Sequence, residues 1–369
     1  MTKPSLLDGI ALNDRLLMQG VFTVRGNTGR LIVTTLDTDQ PQTTARELPF
    51  EFRGEGSEFF KIWIVNILLT VLTLGIYSAW AKVRTNRYFY SNLYLDGESF
   101  RYLAEPLDIL KGRIIAVVFF LLYSVGSALN PVVGVVMLVL LFLVTPFLIA
   151  RSIAFNHRVS AYRNVQFRFH GAYGQACMAF LVWPFLGLLT FGILYPYALM
   201  KMHRFMVENS CYGTSSFSFE AQTWDYAKAF LVAIAIALVA GVLGFAAGHV
   251  YDVAAVVIGG LGYVLAFGYL SVTINNIYFN ATALGSHQLS ANLETSRFLQ
   301  IYATNVILIV LTLGLYLPFA KVRMSTYRAE HTTFTAVGSL DDFAAAEKAQ
   351  VSALGEEMGE VFDFDVGVI

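Results

Sequence analysis

The chain has 369 residues, of which 56% are hydrophobic and only 14% charged, against about 25% charged in a typical soluble domain. A soluble protein so poor in charge could not cover its surface, so the chain reads as an integral membrane protein with small polar parts. Its 25 basic and 26 acidic residues nearly cancel, which excludes a nucleic-acid binder, and two cysteines, Cys177 and Cys211, exclude a disulfide scaffold.

Residues 1–49 form a polar segment. Lys3, Asp8, Asp14 and Arg15 interrupt any apolar core of a secretory signal, so insertion is expected to rely on an internal segment. Val21 to Thr35 alternates around Gly-Asn-Thr-Gly, which predicts a β-hairpin. Seven apolar stretches follow, at 62–80, 114–129, 131–150, 171–200, 229–247, 253–273 and 298–320, each near the ~20 residues of a spanning helix. They are apolar all round, which argues against buried helices of a soluble protein. Asn130-Pro131, and Gly248 and His249 with Asp252, read as hairpin tips. From 338 to 369 the chain is an acidic tail, eight carboxylates against Lys348. Its Glu356 to Asp365 stretch, with Phe362 and Phe364 as apolar anchors, is expected to fold back onto the protein's own polar face or onto a partner.

The chain aligns with itself. A shift of 117 brings Phe50, Phe52, Gly75, Arg87 and Phe100 onto Phe167, Phe169, Gly192, Arg204 and Phe217. A shift of 239 brings Asn66, Gly75, Tyr77, Lys82 and Arg84 onto Asn305, Gly314, Tyr316, Lys321 and Arg323. The expected fold is therefore an all-α integral membrane protein with seven hydrophobic helical segments from a triplicated unit (a-b-c, a-b-c, a), short β-like lead-ins and an N-terminal β-hairpin. The expected divisions are 1–49, repeats at 50–166 and 167–288, a partial repeat at 289–337 and the tail at 338–369.

The run FFKIWIVNILLTVLTLGIYSAWAKVRTNRYFY, then DGESFRY with LKGR, and the ending GSLDDFAAAEKAQVSALGEEMGEVFDFDVG resemble the YjgN family of bacterial inner-membrane proteins. The resemblance runs from about Phe50 to the C-terminus. It implies a multi-pass protein of the bacterial inner (cytoplasmic) membrane, and it brings no catalytic or binding residues with it.

The six histidines are scattered without metal-ligand spacing, and no phosphate loop, dinucleotide fingerprint or nucleophile elbow appears. No catalytic residue, cofactor or metal is expected, and no enzyme. Polar residues inside apolar segments are the better lead. Asn66 and Asn305 read either as interhelical glue or as a paired intramembrane site for a solute. Gly75, Gly192 and Gly314, with Tyr77 and Tyr316, mark either close packing or a broken helix lining a cavity. Lys82, Arg84, Arg87, Lys201, Arg204, Lys321 and Arg323 form a basic interfacial band, which anchors the protein in the bilayer or binds anionic lipid head groups. Asp108 with Lys111, and Asp225 with Lys228, are expected local ion pairs.

Two topologies compete. If each a segment enters and leaves by one face, all 25 basic residues fall on one side, and this fits the charges better. Yet 62–80 reaches about 28 Å as a helix, which is long enough to span. The best functional reading is a transport or channel protein for a small solute or lipid. The alternative is a non-catalytic inner-membrane scaffold that docks a membrane-associated protein partner through its cytoplasmic face.

Overall fold

Each polar stretch between apolar segments folds into a tight β-hairpin. The structure, a computed structural model, describes residues 21–25, 31–35 and 45–366, with side chains from 45 to 353. The first 44 residues are a unit of their own. In it β1 (Val21–Arg25) pairs antiparallel with β2 (Leu31–Thr35), and the turn between them lies outside the described residues.

From Ala45 onward four hairpins follow: β4 (Leu93–Leu95) with β5 (Glu98–Tyr102), β6 (Ser160–Tyr162) with β7 (Val165–Phe169), β8 (Ser210–Tyr212) with β9 (Ser215–Phe219), and β10 (Thr282–Leu284) with β11 (His287–Ala291). Their two-residue turns suit the twist of the strands. Asp96-Gly97 and Arg163-Asn164 have positive φ at both positions, while Gly213 and Gly285 supply it at the first. A fifth pair joins the ends: β12 (Thr332–Val337) returns to β3 (Ala45–Phe52), with Phe334 opposite Leu48. The ten strands close into an antiparallel barrel.

The expectation of an all-α protein is thus corrected. The lead-ins are barrel strands, and so are residues inside what reads as basic connectors. Three-residue strands such as Leu93–Leu95 are too short to show a period of two, and only barrel closure stabilises them.

Between successive hairpins the chain makes a helical pair. These are α1 (Gly56–Leu72) with α2 (Ser78–Ser91), α3 (Pro106–Leu129) with α4 (Pro131–Arg158), α8 (Thr223–Gly248) with α9 (Asp252–Asn280), and α10 (Thr295–Leu311) with α11 (Leu317–Glu330). The remaining pair is interrupted: α5 (Tyr173–Cys177), a π-helical turn (Met178–Val182) and α6 (Trp183–Leu189) form its first leg, and α7 (Tyr195–Glu208) its second. Neighbouring pairs touch as α2 on α3, α4 on α5, α7 on α8, α9 on α10 and α11 on α1, so the helices also form a closed ring. Every pair leaves from and returns to one barrel rim, which puts the hairpin turns at the other.

Seven equivalent segments are likewise corrected. Among the described residues four helices, α3, α4, α8 and α9, are long and apolar enough to cross a membrane. The other three apolar stretches each bend back on themselves.

Candidate functional site

The inward positions of the barrel strands are large and apolar. Phe50 and Phe100 stack at 6.2 Å, Phe100 and Tyr162 at 4.7 Å, and Phe167 and Tyr212 lie 5.2 Å apart. Two phenols are satisfied at the barrel wall: Tyr162 donates to the Leu95 carbonyl at 2.7 Å and accepts from Arg163 at 3.0 Å, and Tyr212 donates to the Tyr162 carbonyl at 3.0 Å. Burial raises the pKa of both hydroxyls. These rings do not fill the barrel. They surround a chamber of about 260 Å³ whose wall also includes Leu284, Leu289 and Phe334. Phe50, Leu93 and Phe279 also line a second space of about 290 Å³ at the helical rim, which reaches Phe52, Phe89 and Arg328. Both are apolar, and they share Phe50, Leu93 and Phe279 as wall residues.

The turn rim is covered by α12 (Leu340–Val366). Leu340 and Ala344 are buried and Phe343 packs beside them into the chamber wall. Phe343 stacks on Tyr212 at 5.9 Å and meets the His287 ring edge-on at 4.6 Å. Glu347 fixes the next turn. One carboxylate oxygen accepts from the Thr214 amide at 2.5 Å and hydroxyl at 2.8 Å, and the other from the Ser215 hydroxyl at 2.5 Å. Burial opposes its charge, but these donors prevail and hold the carboxyl below its ordinary range. Arg163, which bonds Asp96 at 2.9 Å, also pairs with Asp341. The tail is therefore anchored through its start. Side chains of Glu356 to Asp365, where docking is expected from sequence, lie outside the described residues.

At the three short pairs the backbone follows one pattern. The Gly75 amide donates to the Thr70 carbonyl at 2.7 Å and the Leu74 amide to the Val71 carbonyl at 3.1 Å, a Schellman cap. Gly75, Gly192 and Gly314 have φ near +92°, and Leu74, Phe191 and Leu313 near +50°. The Thr73 hydroxyl accepts from the Tyr77 amide at 2.9 Å, and Thr312 accepts likewise from Tyr316 at 3.0 Å. The bulky tip residues point outward: Leu74, Phe191 and Leu313 are 95%, 99% and 94% exposed.

Asn66 and Asn305 are buried, each inside its own pair. Asn66 donates to the Ala81 carbonyl at 3.4 Å, and its own carbonyl oxygen has no partner. Asn305 donates to the Ala320 carbonyl at 3.5 Å and accepts from Arg323 at 3.3 Å. In the middle pair Trp183 packs edge-on against Tyr197 at 4.7 Å instead. In the basic band Lys82, Arg84, Arg87 and Lys321 are exposed, and Arg87 and Arg204 donate to the Ala104 and Ala221 carbonyls, each at 3.0 Å. Lys111 pairs with Asp108 at 3.3 Å and Lys228 with Asp225 at 3.9 Å.

Residues 47–361 match the model of a family described as a bacterial protein of unknown function, DUF898. The chain belongs to the DUF898 family. The inner membrane protein YjgN of Escherichia coli (strain K12) is 23% identical over 82% of this chain and 91% of its own. Its namesake from Salmonella typhimurium is 30% identical over 39% of this chain and 36% of its own. No solved structure matches.

For this DUF898 member, sequence reasoning missed the chamber and its lid. The aromatics at Phe50, Phe100, Phe167 and Phe217 were visible as matched positions, without the closure that turns them inward. Asp96-Gly97 between short apolar runs was the signal available for a hairpin.

Proposed function

We propose that this is an inner-membrane protein that takes the apolar chain of a lipid-class amphiphile into its axial chamber. The observation that carries the reading is the pair of apolar spaces that share Phe50, Leu93 and Phe279 as lining. A dry apolar cavity holds apolar guests rather than water. Left empty, the apolar chamber of about 260 Å³ forfeits packing contacts along its lining, so a guest that fills it stabilises the fold. The transport expectation thereby narrows to its lipid branch, because aromatic rings on the axis offer a hydrated solute no polar contacts.

The placement in the bilayer follows from length. The apolar spans of α8 and α9 cover about 30 Å, the thickness of the hydrocarbon core. The short pairs rise only about 9 Å from Asn66 to Leu72. Their exposed tips at Leu74, Phe191 and Leu313 then enter one leaflet and return, with Lys82, Arg84 and Lys321 at head-group level. On this reading the barrel, with β3 at one end of the chain path and the start of α12 at the other, lies on the cytoplasmic side. We further read the pairs as equivalent units: Arg87 to Ala104, Arg204 to Ala221 and Asn276 to Leu293 all bond at a spacing of 17 residues.

Native mass spectrometry of the purified protein tests the reading. The expected result is that Leu284→Trp, whose indole fills the chamber, carries one lipid-sized adduct fewer than the wild type. Equal adduct numbers in both would remove the chamber reading and leave the scaffold.

A further inference from the structure

A second lipid-shaped feature runs along the outside of the α8–α9 pair, independent of the axial chamber. At the barrel end the two helices flank a polar pocket of about 550 Å³, with Glu220, Asp225 and Lys228 on one side and Tyr269, Thr273 and Asn280 on the other. Farther along the same pair lies an apolar groove of about 530 Å³, walled by Ala235, Val239 and Leu243 against Ile258, Leu261 and Leu265. The two are one stripe. On α8 the lining positions step by three and four from Asp225 to Leu243, and on α9 from Asn280 back to Ile258, which keeps each helix's lining on one face. From Lys228 to Leu243 the helix rises about 22 Å, more than half of the ~30 Å hydrocarbon core, so one leaflet's acyl chain fits its length.

The polar end carries both signs of charge. Lys228 holds Asp225 only at 3.9 Å and lies 5.6 Å from the Trp224 ring, which leaves ammonium donors for an anion. The side chains of Asn276 and Asn280 are already bonded to the backbone at Leu293 and Ala291, and Asp225 caps α8 by accepting from the Gln222 amide at 3.0 Å, so Glu220 is the free acceptor for a cation and Asp225 adds a second negative charge beside it. The α3–α4 pair differs. Its own groove is apolar throughout, from Gly112 to Leu148.

We propose that the α8–α9 groove binds a phospholipid with a primary-amine head group, its phosphate on Lys228, its ammonium between Glu220 and Asp225, and one acyl chain along Val239 and Leu261. Two carboxylates against one lysine favour a zwitterion over an anionic lipid, and an ammonium that donates hydrogen bonds over a trimethylated one.

The test uses the full chain in nanodiscs of equal phosphatidylethanolamine, phosphatidylcholine and phosphatidylglycerol with identical chains. Retained lipid is counted by native mass spectrometry after release. The expected result is phosphatidylethanolamine enriched roughly fivefold, the scale of one charge-assisted hydrogen bond at an exposed site. Glu220→Gln with Asp225→Asn removes the preference, Lys228→Met or Ala235→Trp lowers the retained lipid by the one molecule held in the groove, and Lys111→Met on the other pair changes nothing. Leu284→Trp leaves this enrichment in place, which separates the groove from the chamber. Unchanged melting of each variant in detergent shows that it is folded. Phosphatidylglycerol or phosphatidylcholine retained as well as phosphatidylethanolamine, or variants that retain the wild-type mixture, would overturn the proposal.

Discussion

Phe343 of the C-terminal helix lies on Tyr212 of the barrel, ring centroids 5.9 Å apart and planes 21° from parallel. The two rings are 131 residues apart in sequence, and their contact turns the start of an acidic tail into a wall of the chamber. Removing the ring should open the turn rim. Phe343→Ala is expected to cost about 3 kcal/mol or more, the range for a large aromatic truncation in a core, and to speed proteolysis of α12 while the barrel stays protected.

Glu347 is the polar half of that lid. Its carboxylate accepts from the Thr214 and Ser215 backbone amides and hydroxyls, and bonds to a charged group contribute about 1.5–3 kcal/mol each. Its folded pKa lies below the ordinary 4.5. The stabilisation is therefore complete above pH 4.5 and is lost as pH falls through the folded value. Melting against pH should show wild type and Glu347→Ala converging in acid and separated by several degrees at neutral pH.

His287 acts in a higher window. Its Nδ1 accepts from the Val337 amide at 3.0 Å, and burial holds it below the ordinary 6.5. As pH falls through 6.5 the unfolded chain takes up a proton that the folded one refuses, so stability declines from there downward. His287→Leu should flatten the melting curve below about pH 6.5. An equal slope in wild type and variant would contradict this assignment.

Asn66 and Asn305 should respond unequally to leucine. Asn66 makes one long bond and leaves its carbonyl oxygen unpartnered, so Asn66→Leu is expected within about 1 kcal/mol of wild type. Asn305 also receives Arg323, and Asn305→Leu should cost about 1–3 kcal/mol by removing an acceptor from a charged donor. Paired thermal melts in detergent decide it.

The tips give a direct test of placement. Spin labels at Leu74, Phe191 and Leu313 should be accessible to oxygen and shielded from aqueous nickel. Labels at Val250, at the far end of α8–α9, should meet nickel from the opposite face. Nickel access at all four positions would remove the leaflet-entering arrangement.

Much of the helical layer was legible in the chain. The turns at Asn130-Pro131 and Gly248 to Asp252, the matched glycines Gly75, Gly192 and Gly314, and the Asp108–Lys111 and Asp225–Lys228 spacings all rest on local chemistry, which sequence carries. The barrel was not legible, because Leu95 faces Phe50, Tyr162 faces Phe100 and Phe334 faces Leu48 only after chain closure over tens to hundreds of residues. A strand of three residues has no periodicity of its own to declare. Arg87 and Arg204 illustrate the same limit. Their bonds to a backbone carbonyl of the loop that follows each hairpin could not be read from their place in the basic band.

The chamber itself is tested most directly by crosslinking with a diazirine-bearing fatty acyl lipid, followed by peptide mapping. The account predicts adducts on barrel peptides containing Phe100, Phe217 and Phe343, suppressed by Leu284→Trp. Adducts confined to the lipid-facing surfaces of α3, α4, α8 and α9, unaffected by that substitution, would contradict it.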